Sequence, residues 1–429
     1  MKRNNNTMLI IISTILSCSI LLFSPAMMYG QDFQVSSSPN PVGSGARAIG
    51  MGGAFIAVAD DATAASWNPG GLTQLQKPEF SIVGAYVYRK EDNFIASHPE
   101  AGNSSSVGEE NLNYMSFTYP FIIGKYNTVA ALTYQHLYDY MRDWTFSYFI
   151  DEYLPVYNYE IEGDGNLYAL GLSYCMDISK TFSLGITLNY WGDFIFKNEW
   201  ERLYTQKLND TVIMKEKDEF AFEGWNANIG FLWEIWRNDK ENKLNFGFVI
   251  KTPFTADIDH NYLIDGELDS DLEYTKMRMP LSYGMGISYS FSDTFILSAD
   301  IFRTHWEDYE MEDKNGNKYS PISNNPIHES DIDPTVSIRA GLEYLILWKD
   351  KFIIPIRGGL FYDPAPEEKS PDDYYGFSLG TGFGTNLYAF DIAYQFRYGS
   401  DVSHSKMSPD KFSQDIEEHL FYTSLIIYF

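Results

Sequence analysis

The sequence of 429 residues is poor in cysteine, in basic residues and in long apolar runs. Its two cysteines are Cys18 and Cys175, and removal of a leader that includes Cys18 would exclude an intrachain disulfide. Beyond residue 30 the chain has no run of about 18 to 20 apolar residues, which argues against a helical membrane protein. The 31 Lys and Arg against 58 Asp and Glu give a formal net charge of −27. Because nucleic-acid phosphates need cationic partners, we expect no nucleic-acid partner.

Motifs of enzymes and metal sites are missing as well. The seven His residues are scattered, without an H-E-x-x-H motif or a Cys/His cluster, so we expect no metal site and no cofactor. One G-x-S-x-G match spans Gly376–Gly380, but a nucleophile elbow needs a strand–turn–helix setting, and this match lies inside a predicted strand. The dinucleotide-type match at Gly43–Ala48 follows no strand. We therefore expect that the protein is not an enzyme.

The first thirty residues have the pattern of a secretory signal peptide. Lys2 and Arg3 are basic, Met8–Phe23 is apolar, and small residues lead to a cleavage site after Gly30. The alternative is an uncleaved anchor helix. A signal peptide over residues 1–30 predicts an exported protein.

Aromatic residues are abundant, with 32 Tyr and 30 Phe, and they alternate with polar or small residues in fourteen segments. Such period-two alternation predicts strands. The predicted strands are 80–89, 112–121, 128–138, 167–176, 181–191, 220–235, 243–251, 280–291, 294–302, 335–345, 352–362, 375–384, 387–398 and 419–429.

The faces and connections of these strands predict a membrane barrel. One face is large and apolar in nearly every strand, and the other is polar or very small, which fits a barrel in lipid better than a soluble sandwich. Short connections follow the even-numbered strands, and long, mostly acidic connections follow the odd-numbered ones. The expected fold is all-β, a 14-stranded antiparallel transmembrane β-barrel over residues 79–429. Its expected location is the outer membrane of a Gram-negative bacterium, with outer-membrane lipids around it.

The segment before the first strand differs from the rest, because Gly43–Leu75 is rich in Gly and Ala and lacks the alternation. Within it, ARAIGMGGAFIAVADDATAASWNPGGL resembles the start of the long-chain fatty acid transporter family (FadL and TodX type). The match departs from the family at Gly70, where the family usually has Ala. The matching residues are Gly50, Gly52, Gly53, Ala54, Phe55, Ala59, Asp60, Asp61, Asn68, Pro69, Gly71 and Leu72.

The resemblance implies that residues 31–78 form a hatch inside the barrel, beside a lumenal site for a hydrophobic ligand that leaves sideways through the wall. A hatch that only seals the barrel is the alternative. Glycines permit positive φ in such a compact coil, and Asp60 and Asp61 are expected to cap a helix near Ala62 or to pair with lumenal arginines. The expected hatch residues are Gly50, Gly52, Gly53, Phe55, Asp60, Asp61, Asn68, Pro69 and Gly70.

The inward strand faces carry small residues and four cations. Small lumenal residues such as Ser282, Gly284, Ser378 and Gly380 leave room for the hatch or a ligand. A fatty-acid carboxylate needs one or two cations in an otherwise apolar site. The alternative is that these cations pair with lumenal acids such as Glu343 and Asp391. The four ligand candidates are Lys251, Arg339, Arg357 and Arg397.

The last predicted strand ends in Phe429, and this ending resembles the signal that bacterial barrel assembly machinery recognises. That machinery is therefore an expected partner. The expected function is passive outer-membrane transport of hydrophobic small molecules, with long-chain fatty acids or related hydrocarbons as the expected substrates. One alternative is a barrel of the same family that acts as a carrier in protein secretion. A general diffusion porin is disfavoured, because a hatch would close the pore.

Overall fold

The computed structural model describes residues 43–149, 156–238, 242–269, 273–349, 351–404 and 412–429. The predicted signal peptide and the first residues of the predicted hatch lie outside these ranges. The helices are short: α1 (Ala46–Gly50), α2 (Ala64–Trp67), and 3-10 turns at Pro69–Gln74, Pro99–Ala101 and Trp306–Asp308. No helix in the described ranges has the length and apolar character needed to cross a membrane.

Strands make up most of the described chain. In chain order they are β1 (Glu79–Ile95), β2 (Asn103–Ile123), β3 (Tyr126–Asp139), β4 (Arg142–Phe149), β5 (Val156–Asp177), β6 (Phe182–Trp191), β7 (Glu199–Leu208), β8 (Thr211–Arg237), β9 (Lys243–Lys251), β10 (Phe254–Ile264), β11 (Glu267–Leu268), β12 (Tyr274–Met279), β13 (Ser282–Ser292), β14 (Phe295–Thr304), β15 (Glu310–Asp313), β16 (Lys318–Tyr319), β17 (Thr335–Trp348), β18 (Phe352–Tyr362), β19 (Tyr374–Gly384), β20 (Tyr388–Val402) and β21 (Phe412–Tyr428).

Fourteen of these strands form a closed antiparallel barrel: β1, β2, β3, β5, β6, β8, β9, β13, β14 and β17 to β21. Each pairs with the next in this series, and β21 pairs with β1 from Glu79↔Tyr428 to Ile95↔Phe412. Closure leaves no open edge, which a bilayer requires of a spanning sheet. The predicted fold is therefore confirmed, and each of the fourteen predicted strands coincides with one barrel strand.

Side chains alternate across the wall as predicted. In β6, for example, Leu184 and Leu188 are exposed on the outside, whereas Ser183 and Thr187 are buried in the lumen. The outside of the barrel is thus a continuous apolar surface, as expected of a wall that faces lipid.

The two rims of the barrel differ. Short turns, such as Gly124–Lys125, join strands at one rim, which we call the turn rim. The N-terminal end of β1 and the C-terminal end of β21 also lie at this rim, where the Phe429 N–H donates to the Pro78 carbonyl at 3.0 Å. The side chain of Phe429 is exposed. Its role as an assembly signal stays a prediction.

The opposite rim, which we call the loop rim, is more ordered than the sequence suggests. The connections predicted to be long and polar form seven further strands, β4, β7, β10, β11, β12, β15 and β16. They pair with outer extensions of β5 and β8 and with one another. Each longer loop strand buries one apolar face. Trp200 in β7, for example, stacks on Phe220 in the outer extension of β8, with the ring centroids 4.7 Å apart. This buried face stabilises a sheet where isolated loops would have no core.

We predict that a charge on the outer wall destabilises the barrel far more than the same charge at the loop rim. Leu172 is 60% exposed on β5 and Leu268 is 64% exposed on β11. If the wall faces lipid, Leu172→Lys costs about 2–4 kcal/mol of unfolding free energy. The control Leu268→Lys changes it by less than about 0.5 kcal/mol. Urea unfolding in lipid vesicles measures both, and equal effects would contradict a lipid-facing wall.

Candidate ligand site in the barrel lumen

The segment Gly43–Leu75, which we call the N-terminal segment, lies inside the barrel and contacts the wall through its backbone. A Cβ atom on any of several wall glycines would overlap backbone atoms of this segment. Gly341 faces the carbonyl of Met51, and Gly359 faces the N–H of Gly52. The wall glycines in such contact include Gly185, Gly247, Gly341, Gly359 and Gly380. Small inward residues therefore give the segment its space.

The glycines of the segment itself are used in two ways. Gly52 and Gly53 have φ values of 69° and 73°, in the left-handed region that favours glycine. Gly50 and Gly70 instead lie against the wall: a Cβ on Gly50 would lie 3.0 Å from the Cα of Gly380. A Cβ on Gly70 would lie 2.5 Å from a backbone atom of β8. Larger residues at these positions would displace the segment.

Asn68 and Pro69 form the turn that the sequence predicts. Pro69 begins the 3-10 turn, and the Gly70 N–H donates to Asn68 Oδ1 at 3.0 Å. The Asn68 amide Nδ2 donates to the carbonyl of Ile56 at 2.8 Å and to that of Phe231 at 2.9 Å. Asn68 therefore links two parts of the segment to strand β8.

Both acids bond within the N-terminal segment. Asp61 Oδ1 accepts hydrogen bonds from the Thr63 N–H at 2.8 Å and from the Thr63 hydroxyl at 2.6 Å. It thus closes a turn before α2, which begins at Ala64 rather than near Ala62. Asp60 pairs with Arg47 at 2.6 Å, so its partner is an arginine of the same segment and not of the wall. The aspartates shape the segment locally.

Arg47 joins the segment to the wall through a chain of ion pairs. It contacts Glu343 at 2.8 Å, and Glu343 also contacts Arg357 at 2.6 Å. Arg357 in turn contacts Asp391 at 2.5 Å. These groups are mostly buried, and each charge has an opposite neighbour, as buried charges require. Arg357 is therefore held by lumenal acids.

Two other predicted cations are also paired. Arg339 contacts Asp363 at 3.0 Å, and Arg397 contacts Glu418 at 3.0 Å. Glu418 also forms an ion pair with the buried Arg89, whose guanidinium nitrogen lies 2.5 Å from the carboxylate. For three of the four predicted ligand cations, the structure thus provides acidic partners.

Lys251 is different. Within the described part of the chain its ammonium has no ion pair and no hydrogen bond. It lies at the loop-rim end of β9, with Nζ 5.6 Å from the ring centroid of Phe302, a distance that permits a cation–π contact. An inward-facing cation without an acid is free to bind an anionic group.

Two small cavities meet at Lys251. One, of about 60 Å³, lies against the N-terminal segment; its lining is Gly53, Ile56, Ser66, Trp67, Lys251, Asp300, Phe302, Ser337 and Arg339. The other, of about 40 Å³, lies toward the loop rim, and its lining includes Tyr138, Trp191, Phe254 and Met279. Each cavity combines aromatic and apolar side chains with polar ones; Asn226 and Asn228, for example, line the second. Such a mixed lining suits a ligand that has both an apolar and a polar part.

Sequence reasoning missed Asp300, which lines the first cavity. Its Oδ2 accepts the N–H groups of Phe55 at 2.7 Å and of Ile56 at 2.8 Å. Phe55 packs edge-on against Trp67, with centroids 6.2 Å apart. The signal was present, because Asp300 is a lone acid on the inward face of a predicted strand. It fixes the part of the segment that borders Lys251.

The wall has a break in its ladder near the loop rim. Pairing between β2 and β3 stops at Tyr114↔Gln135, although β2 continues to Asn103 and β3 to Asp139. Beyond this point the Asn166 amide of β5 donates to Glu109 of β2 at 2.8 Å. At this break, a side-chain hydrogen bond joins the wall where the backbone pairing of β2 with β3 ends.

Comparison with known proteins gives a match in structure and none in sequence. The sequence matches no family model, and no curated protein matches it at a significant level. A FadL homologue of Pseudomonas aeruginosa superimposes with a TM-score of 0.58 and 13% identity, over 91% of this chain and 99% of that one. The chain has the FadL fold.

Two further FadL-type structures are similar to the same extent. The Pseudomonas putida toluene transporter TodX has a TM-score of 0.55 with 13% identity, over 90% of this chain and 99% of that chain. The Ralstonia pickettii toluene transporter TbuX has a TM-score of 0.51 with 13% identity, over 90% and 98%. At this identity the likeness concerns the fold.

We predict that a side chain added at a single wall glycine destabilises this FadL-type barrel. Gly359 faces the Gly52 N–H, whereas for its neighbour Gly358 the nearest atom to an added Cβ is 3.9 Å away. Gly359→Val should cost about 1–3 kcal/mol, because it overpacks the lumen. Gly358→Val is the control. The temperature at which the barrel loses its heat-modifiable gel mobility should fall for the first variant alone. An equal fall in both would argue against the backbone contact.

Proposed function

We propose that the protein is an outer-membrane channel for passive uptake of hydrophobic small molecules that carry an anionic group, with long-chain fatty acids as the substrate class. The observation that carries the proposal is Lys251, a lumenal cation that has no ion pair within the described residues and lies between two cavities lined in part by aromatic side chains. Export by the predicted signal peptide and insertion by the barrel assembly machinery belong to the same proposal. The FadL fold supports it, since relatives with that fold include toluene transporters.

The lining of the cavities supports an amphiphilic ligand. An acyl chain would contact Trp67, Phe302 and Phe254, and its carboxylate would pair with Lys251. Such a charge-assisted contact inside a closed lumen stabilises binding more than the same contact in water. A purely apolar hydrocarbon would use the same walls and would not need the lysine.

The size of the cavities implies movement during transport. A water molecule needs about 10–15 Å³ of such space, so a cavity of about 60 Å³ holds a few waters and not a long acyl chain. Passage of a chain therefore requires the N-terminal segment to shift. We infer that residues 31–78 act as a hatch, and that Asp300 and Asn68 hold its resting position.

We predict that Lys251 contributes to the uptake of acidic substrates and not to that of uncharged ones. In a deletion strain, the wild-type gene should restore uptake of labelled oleate and toluene. Lys251→Met should raise the half-saturating oleate concentration at least about tenfold, because a hydrogen bond to a charged group is worth about 1.5–3 kcal/mol. Toluene uptake should not change. Lys243→Met, at the other end of β9, is the control.

The outcomes separate the possible functions. Equal loss of oleate and toluene uptake in Lys251→Met would show a structural defect and contradict carboxylate binding. Unchanged uptake of both compounds in the deletion strain would contradict transport altogether. The remaining interpretation would then be a carrier in protein secretion, which predicts co-purification with a secreted protein.

We propose that the sideways exit lies at the break between β2 and β3, where the side chains of Glu109 and Asn166 are hydrogen-bonded to each other. Linking these positions should hold the break closed. In a Cys18→Ser background, Glu109→Cys plus Asn166→Cys with a short, reducible thiol crosslinker should lose oleate uptake and regain it on reduction. The control pair is Ser147→Cys plus Asn158→Cys, whose side chains meet in the β4–β5 hairpin. Full uptake in the linked Glu109–Asn166 variant would exclude this exit.

A further inference from the structure

One loop-rim connection turns outward, away from the lumen. Strand β6 ends at Trp191, and residues Gly192–Lys197 follow before β7 begins at Glu199. We call Gly192–Lys197 the outer loop. At its centre Phe194 is 63% exposed, and Ile195 and Phe196 are each 44% exposed. Three consecutive exposed apolar side chains form a patch at a rim whose connections are mostly acidic and polar.

The position of the outer loop follows from the residues it covers. Tyr134 lies on the outward face of β3, two residues after Leu132. Leu132 is 52% exposed. Nevertheless Tyr134 is only 2% exposed. Its ring lies 6.3 Å from that of Phe194 and 6.2 Å from that of Phe196. The outer loop therefore lies on the outside of the barrel wall.

Hydrogen bonds hold the outer loop in this position. The Phe196 N–H donates to the Tyr134 hydroxyl at 3.0 Å. Asn198 exchanges two bonds with the backbone of Tyr168, at 2.7 and 2.9 Å, and its N–H donates to Asp193 at 2.8 Å. Because these bonds fix both ends, the three apolar side chains are presented on a defined support.

We propose that the outer loop inserts Phe194, Ile195 and Phe196 among the acyl chains of the membrane leaflet at the loop rim. The argument is continuity: the three side chains extend the apolar outer surface of the wall, to which Leu132 and Leu172 belong. Asp193 and Lys197 flank them and mark the level of the lipid headgroups. The proposal rests on the membrane location of the barrel, but it adds an anchor that the barrel fold does not require.

The test measures lipid contact at single labelled positions. Cys175 is buried, so in a Cys18→Ser background a new surface cysteine is labelled selectively. Ile195→Cys, Leu172→Cys and Val212→Cys are each labelled with a small fluorophore and placed in phosphatidylcholine vesicles, with or without bromine near the glycerol end of the acyl chains. Leu172 lies on the wall, and Val212 is 51% exposed in the β7–β8 hairpin at the loop rim.

Brominated lipid should quench the label at position 195 at least twofold more than the label at 212, and about as strongly as the label at 172. Equal quenching at 195 and 212, with strong quenching at 172, would overturn the loop proposal and leave the membrane barrel intact. No quenching at any of the three positions would overturn both.

Discussion

Close contact between two backbones is the constraint on which the rest of the lumen depends. The N-terminal segment fits inside the barrel because Gly341, Gly359 and Gly247 leave no β-carbon between the wall and its carbonyl and N–H groups. This contact sets the path of the segment, and the path brings the N–H groups of Phe55 and Ile56 to Asp300. The cavity beside Lys251 is the space that this arrangement leaves unfilled.

Charge pairing then decides what that space can bind. A buried cation without an opposite charge nearby destabilises the fold, and most lumenal arginines avoid this by pairing with lumenal acids. Arg47, Glu343 and Arg357 form one such chain, which also fastens the segment. Lys251 is the predicted ligand cation that lacks such a partner in the described chain. Its charge is therefore available to a ligand, at a cost in stability that a functional site can sustain.

The loop rim shows the limit of pattern recognition in the sequence. Barrel strands were predictable because each repeats one simple alternation against lipid on one side and the lumen on the other. The loop strands bury their apolar face against other loop-rim residues instead, as Trp200 does against Tyr140, so their pattern depends on partners distant in sequence. The outward turn of the outer loop was likewise invisible, because it depends on Tyr134 and Tyr168 of other strands.

The sequence by itself determined the fourteen strands, their two faces and the set of cations that point inward, because alternation is a local property of the chain. The tertiary structure alone decided which of those cations is free. Arg357 and Glu343 meet across neighbouring strands, and Arg47 reaches Glu343 over 296 positions of sequence. No local pattern encodes such pairing, which exists only when the barrel has closed around the N-terminal segment.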